Sequence, residues 1–287
     1  MTLNEAKALV KRLRRHFYMA SILRMPILTL VAIGLLGSML LNEAQGHANA
    51  LWYAAMFAAL LWILLTVFSV RQVRAANQAS AYIASGRLDL AEEQLKSALH
   101  QFSLYRAGKL LACHNLAVVV HGRKNYQAAA ELCDAVITLH GGVSRSVGRL
   151  CRILLADCRL LLGDSASALR AIEPLSLRDP ALSLSEQMML LPIELRCQIA
   201  MGQYESAWES LAWKVRLAEL LDAPKASLVH ALLARACQAA GKTEEASFLQ
   251  RRADLYHDQK ELAEDYNIPQ DSAPVTPTAD NNADSAS

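Results

Sequence analysis

The sequence predicts an all-α protein in which a two-helix transmembrane hairpin precedes an α-solenoid of about five helical hairpins. Two observations predict this fold class. Residues 26–41 and 51–70 are two apolar runs without a charged side chain. Beyond Arg71, a pattern of small residues recurs every 38 or 39 positions. Uncharged runs of this length are typical of membrane helices, and such a period is typical of stacked helical hairpins.

The predicted hairpin covers residues 25–70, with spans at 25–41 and 51–70. A helix that crosses a bilayer needs about 20 apolar residues, and the polar connection 42–50 is so short that the two helices must be antiparallel neighbours. Lys and Arg flank the hairpin on both sides, and the connection has none. The positive-inside rule therefore predicts an integral, two-pass protein, for which we expect a bacterial cytoplasmic membrane, with the repeat domain and both termini cytoplasmic.

Two parts of the N-terminal region have a second interpretation. Residues 1–24 are basic, with apolar residues at helical spacing, which predicts an amphipathic helix able to lie on an anionic lipid leaflet. The alternative is a cluster of charges that only sets the topology. Residues 48–50 (ANA) resemble a signal-peptide cleavage site, but a polar stretch separates them from the first apolar run and a second run follows at once, which argues against cleavage.

Five short segments define the repeat. In each, a turn residue is followed five positions later by alanine: Gly86 and Ala91, Lys124 and Ala129, Gly163 and Ala168, Gly202 and Ala207, Gly241 and Ala246. We expect the turn residue to end one helix in a left-handed conformation, which suits glycine best, and the alanine to permit close approach of the next helix. The spacing predicts a repeat domain over residues 71–260, and no helix breaker separates it from the second apolar run.

Two helix-end signals complete the domain plan. Ser183 and Glu186 have the spacing of a capping box, which predicts a helix start in the fourth unit. Residues 261–287 contain Asp, Glu, Ser and Pro but no Lys or Arg. A segment of this composition buries too little apolar surface to fold, so we expect a disordered acidic tail.

No residue pattern indicates an enzyme. The sequence has no P-loop, GxGxxG, HExxH or GxSxG motif, so we expect no catalytic residue, no small-molecule substrate and no cofactor. The six cysteines are scattered without a CxxC pair, which is typical of reduced core residues in a cytoplasmic protein. His114 and His121 are two helical turns apart, a long distance for one ion, so no metal site is predicted.

The distribution of charge bears on the partners. Six Lys and Arg residues lie within residues 1–25, beside the predicted hairpin. Because this basic cluster adjoins the apolar runs, we interpret it as a signal for membrane lipid, and we expect no nucleic-acid partner.

Residues 115–137 read NLAVVVHGRKNYQAAAELCDAVI, and residues 154–169 and 202–208 follow the same pattern. This pattern resembles the tetratricopeptide-repeat (TPR) superfamily, over about residues 71–260, with units longer than the usual 34 residues. The resemblance implies that the first helix of each unit lines a concave groove that binds a protein partner. By position, the polar groove candidates are Asn77, Ser80, His114, Asn115, His121, Asp157, Arg196 and Arg235.

The resemblance also bears on the kind of partner. Some TPR domains bind chaperone C-termini through a Lys/Asn/Asn/Lys/Arg clamp, of which only Asn115 is matched. The other places are taken by Ala76, Ser80, Leu150 and Leu154. Chaperone binding is therefore not expected. We expect Arg196 and Arg235 to lie on an open face, where they meet an acidic partner and contribute little to stability.

The resemblance and the apolar runs together give an expected function. It is that of a non-enzymatic, membrane-anchored TPR scaffold, which recruits or assembles a protein partner, still unknown, at the cytoplasmic face of the membrane. The alternative is an accessory subunit of a membrane secretion, transport or cofactor-biogenesis complex, with the hairpin as a partner surface. The layout is similar to that of HemY-like proteins of haem metabolism, which is a likeness of architecture alone.

Overall fold

The structure, a computed structural model, describes residues 1–40, 45–103, 105–139, 145–175, 182–257 and 266. Every regular element in these ranges is a helix, which confirms the all-α class. The contacts divide the chain into two compact units, Met1–Gln203 and Tyr204–Ser287. The first unit contains α1 (Leu3–Leu40), α2 (Gln45–Ala84), α3 (Leu88–His100), α4 (Arg106–Gly122), α5 (Tyr126–Leu139), α6 (Arg145–Leu161), α7 (Ser165–Ile172) and α8 (Leu184–Ala200). The second contains α9 (Tyr204–Trp208), α10 (Leu211–Ala218), α11 (Ala223–Ala239) and α12 (Thr243–Tyr256).

Five helix ends share one turn geometry. The residues Gly86, Lys124, Gly163, Gly202 and Gly241 have φ angles of 74°, 60°, 82°, 71° and 74°. In each turn the N–H of this residue donates to the carbonyl three residues earlier, and the next N–H donates to the carbonyl five residues earlier. At the first turn these distances are 3.1 Å and 2.9 Å. This pair of bonds satisfies carbonyls left over at the helix end. The predicted left-handed turn residues are confirmed at all five positions.

The alanine that follows each turn lies in the core. Ala91, Ala129, Ala168 and Ala207 are fully buried, and Ala246 is 9% exposed. In each case the second helix begins two residues after the turn residue, so the alanine falls in its first turn. A side chain of one methyl group leaves room for close helix–helix contact, which explains why alanine recurs at this point.

The helices α1 and α2 form a long hairpin that packs on the repeat helices. Within the first unit, α1 contacts α2, α3 and α5, and α2 also contacts α3 and α4. Because α2 is one helix of 40 residues, the second apolar run continues into the first repeat helix, which agrees with the absence of a helix breaker between them. It begins inside the predicted connection 42–50, of which residues 42–44 lie outside the described residues.

The N-terminal half of α1 belongs to the core of the first unit. Its apolar side chains Ala6, Val10, Leu13 and Phe17 are at most 5% exposed. The helix face that the sequence assigns to a lipid leaflet is therefore covered by protein. An apolar stripe at helical spacing suits either partner equally well, so the sequence alone did not distinguish them.

The predicted membrane spans require a correction. Within the described residues, none of the helices combines the length and the apolar character that a bilayer crossing requires. The prediction of an integral two-pass protein of a bacterial cytoplasmic membrane is therefore wrong, and the orientation of the termini inferred from the spans loses its basis. Residues 25–40 of the first predicted span are a section of α1, and the second predicted span, 51–70, is a section of α2.

The second unit contains a break that the sequence does not signal. After only five residues α9 ends, Ser210 adopts a φ of 58°, and α10 begins at the next residue. Lys214 is 5% exposed, and its Nζ donates to the carbonyls of Ser206 at 2.8 Å and Ala207 at 2.7 Å. A buried ammonium group thus satisfies carbonyls at the end of α9. No glycine or proline stands near this break.

The predicted helix start at Ser183 and the predicted C-terminal tail have different outcomes. Ser183 is the N-cap of α8: its Oγ accepts from the Glu186 N–H at 3.3 Å, and the Glu186 carboxylate accepts from the Ser183 N–H at 2.8 Å. The capping box is therefore confirmed. The predicted acidic tail, residues 261–287, lies outside the described residues except for Tyr266.

Candidate functional site

Three of the predicted groove residues form one polar array. Asp157 on α6 accepts a hydrogen bond from His121 Nε2 on α4 at 2.8 Å and from an Arg196 guanidinium nitrogen on α8 at 2.9 Å. The two donors use different carboxylate oxygens. Since α4, α6 and α8 are the first helices of three successive repeat units, the array links those units side by side.

These two partners stabilise the ionised form of the Asp157 carboxyl group. Burial would raise the pKa of its carboxyl group, but the hydrogen bond from His121 and the positive charge of Arg196 more than offset this, so the pKa is lowered. The side chain of Arg196 is only 9% exposed. The expectation that this arginine lies on an open face is therefore wrong, because its guanidinium group is buried against a carboxylate of the preceding unit.

One repeat position accounts for two members of the array, Asp157 and Arg196, and for a residue outside it. Counting by the repeat period, this position is occupied by Ser80, Val118, Asp157, Arg196 and Arg235. Acidic and basic side chains thus follow one another on adjacent units, which brings opposite charges together. The sequence contained this signal in its spacing. Arg235 lies in the second compact unit, residues 204–287, and its side chain is half-buried. It has no hydrogen bond or ion pair with any residue that the structure describes.

Four further predicted groove residues lie on α2 and α4, namely Asn77, Ser80, His114 and Asn115. Asn77 and Ser80 are exposed on α2. The amide nitrogen of Asn115 donates to Ser80 Oγ at 3.0 Å. This pair connects the first two repeat units, as the array connects the second, third and fourth. His121 keeps a quarter of its side chain exposed, and its ring centre lies 5.3 Å from that of Tyr126. Exposed polar groups are therefore available along this face.

His114 belongs to the core instead. Its Nδ1 lies 3.4 Å from Cys151 Sγ, and Cys151 also hydrogen-bonds to Cys133. The hydrogen bond from Cys133 lowers the pKa of Cys151, and His114 adds to the effect, although burial opposes it. His114 is 9% exposed and both cysteines are fully buried. The predicted place of His114 in the groove is therefore corrected: its neighbours are thiols inside the first unit.

Neither cluster has the form of an open reaction centre. Both carboxylate oxygens of Asp157 are already engaged by protein donors. The Cys151 thiol has a histidine beside it, which is the arrangement of an activated nucleophile, but none of its surface meets solvent. Within the described part of the chain, no group of three or more His, Cys, Asp or Glu side chains is placed to hold a metal ion.

A buried cation on α4 was not predicted from the sequence. Lys109 is 2% exposed, and its Nζ donates to the carbonyl oxygens of Leu99, at 3.0 Å, and Gln101, and lies 2.9 Å from His16 Nδ1. Burial lowers the pKa of Lys109 to about 8, and the nearby charge of Arg12 contributes. The position at the C-terminal end of α3 favours a positive charge. The only signal for this burial in the sequence is that Lys109 directly precedes an apolar stretch.

A second missed contact supports α8. The guanidinium group of Arg149 on α6 donates to both carboxylate oxygens of Glu186, at 2.9 Å and 3.2 Å. Glu186 is 4% exposed and also forms the capping box with Ser183. Ion pairs between successive first helices thus occur at both ends of the α6–α8 contact.

Comparison with known proteins returns no match: no protein-family model, no curated protein and no solved structure is significantly similar to this chain.

Proposed function

We propose that this chain is a TPR-like, non-enzymatic scaffold that binds a protein partner along the face formed by α2, α4, α6 and α8, the first helices of the repeat units before Gln203. The observation that carries the proposal is the polar array. Asp157 and His121 keep 21% and 25% of their side chains exposed while their mutual contact holds α4 and α6 in register. A face that is both fixed by internal bonds and partly open has little ordering cost when a partner binds.

The chemistry of the face favours a polar peptide or helix. His121 has one ring nitrogen beyond the bond to Asp157, and Asn77 presents an exposed amide on α2. These groups offer hydrogen bonds at spacings set by the helix stack, which suits an extended backbone or a helix rather than a small molecule. Arg196, which is bound to Asp157, is not part of the recognition surface in this proposal.

The test is site-specific photo-crosslinking in cells that produce the full chain. A photoreactive residue is placed at Asn77 on α2 or at Val118 on α4, both on the proposed face. The matched controls are Gln127 on α5 and Ala166 on α7, which are exposed on second helices. We expect Asn77 and Val118 to crosslink to one common protein and the controls to give no such product.

Two outcomes contradict this function. Equal crosslinking from all four positions indicates non-specific contact. Crosslinking from Gln127 and Ala166 alone places the partner on the second helices instead. Either result rejects the first-helix face as the binding surface, and it does so without depending on the stability of the protein.

A further inference from the structure

Apolar side chains are exposed along the part of the hairpin beyond the repeat helices. On α2, the exposed fractions are 72% for Tyr53, 69% for Phe57, 57% for Ile63 and 48% for Val67. The same holds for α1, where Met25 is 69% exposed. Further exposed apolar residues are Met19, Ile22, Leu23, Ile33, Met56, Leu60, Leu61, Leu64 and Val70. Monomeric proteins in water rarely expose contiguous apolar surface on this scale.

Basic side chains lie nearer the base of the same hairpin. Lys7, Lys11, Arg14 and Arg15 are exposed on α1, and Arg74 is exposed on α2. None of the five forms an ion pair with a residue that the structure describes. The four basic residues of α1 are exposed because the opposite face of that helix is buried in the first unit.

The two kinds of side chain are arranged in zones. An α-helix rises about 1.5 Å per residue, so Arg15 and Met25 are roughly 15 Å apart along α1. Tyr18, which is 69% exposed, lies between them. A zone of positive charge, an aromatic residue and then apolar side chains is the order in which protein groups meet lipid headgroups, the interface and acyl chains.

We propose that this hairpin surface binds an anionic lipid bilayer, with the exposed basic residues of α1 on the headgroups and the exposed apolar residues of both helices against acyl chains. Charge complementarity selects this occupant. A second copy of the chain would bring two basic faces together, and an acidic protein would leave most of the apolar zone uncovered. The binding requires no helix to cross the bilayer, and it is independent of the partner face proposed above.

The test uses the full chain and vesicles of phosphatidylcholine, with or without phosphatidylglycerol. One variant carries K7Q, K11Q, R14Q and R15Q. Its control, with the same change in net charge, carries R87Q, R145Q, R170Q and R251Q, which are exposed positions elsewhere. Because each basic residue near an anionic surface adds to binding, we expect the first variant to bind anionic vesicles at least about tenfold more weakly, and the control to match the unmodified chain.

A second measurement distinguishes lipid contact from self-association. A fluorophore attached at Met56→Cys should be quenched by brominated acyl chains in the vesicles, which association between protein copies would not produce. The lipid proposal is overturned if the probe is not quenched, if neutral and anionic vesicles bind equally, or if the control variant loses as much binding as the hairpin variant. Stable oligomers that form without vesicles and exclude them would assign the surface to a second copy.

Discussion

Arg196 donates to the carboxylate of Asp157 across 2.9 Å, and the two residues stand 39 positions apart, one repeat period, on neighbouring first helices. The pair therefore joins equivalent points of two successive units. Since Asp157 also accepts from His121, a single carboxylate holds three helices in register. Arg196, which the sequence places on an open face, therefore helps to hold the fold together.

Arg196→Ala should lower the free energy of unfolding by about 1.5–3 kcal/mol, because it removes a hydrogen bond to a charged group and leaves Asp157 with one partner. The control is Arg235→Ala, at the same repeat position but without a partner among the described residues, which should stay within about ±0.5 kcal/mol. Urea unfolding measures both. Combining Arg196→Ala with Asp157→Asn should cost less than the sum of the two single changes. Equal stability of the two arginine variants would contradict the ion pair.

Lys124→Gly should stabilise the protein by up to about 1 kcal/mol, because this lysine has the left-handed conformation that glycine adopts without a steric penalty. The reverse change, Gly163→Ala, should destabilise it by about 1 kcal/mol, the order of the cost of a left-handed conformation for a residue with a Cβ. An added Cβ at Gly163 meets no atom within 4 Å, so its cost is backbone strain alone. Thermal unfolding of the two variants should move in opposite directions, and a shift in the same direction would reject the shared turn geometry.

Ala168→Trp should destabilise the first unit by about 1–3 kcal/mol or more, since the alanine is fully buried and added bulk must separate two helices. Ala129→Trp should have a similar effect. Ala166→Trp is the control, because it lies on the same helix as Ala168 with its side chain exposed. Circular dichroism melts decide the matter. Comparable melting of the Ala166 and Ala168 variants would show that the alanine is not a point of helix contact.

Lys109 should make stability depend on pH above neutrality. Its pKa is lowered to about 8 in the folded protein from the usual 10.5, so the unfolded chain binds more protons between these values. The stability contributed by this group therefore rises from pH 8 towards pH 10.5 and is lost as pH falls through 8. Lys109→Met should flatten this part of the curve relative to the unmodified protein. Lys7→Met, at an exposed lysine, should not, and parallel curves for all three would contradict the depressed pKa.

The turns and the buried alanines were predictable because their requirements are local. A positive φ needs glycine or a tolerated substitute, and a close helix contact needs a small side chain. The partner of Arg196 was harder to predict, since helical spacing gives the face of a residue but not what lies opposite. The outcome at Ser210 had no signal at all. For the apolar stripe of α1, lipid and protein impose the same pattern, so only the fold shows that protein covers it.

Because α2 is continuous, it connects the exposed apolar part of the hairpin rigidly to the repeats. Because no loop interrupts Gln45–Ala84, rotation of its apolar end about the helix axis is carried to the end that bears Asn77 and Ser80. Each residue of an α-helix turns the direction of a side chain by about 100°, so inserting one residue between the two ends would swing the partner face through more than a quarter turn. The direction in which the proposed partner face points, relative to the exposed apolar side chains of the hairpin, thus depends on the number of residues in α2.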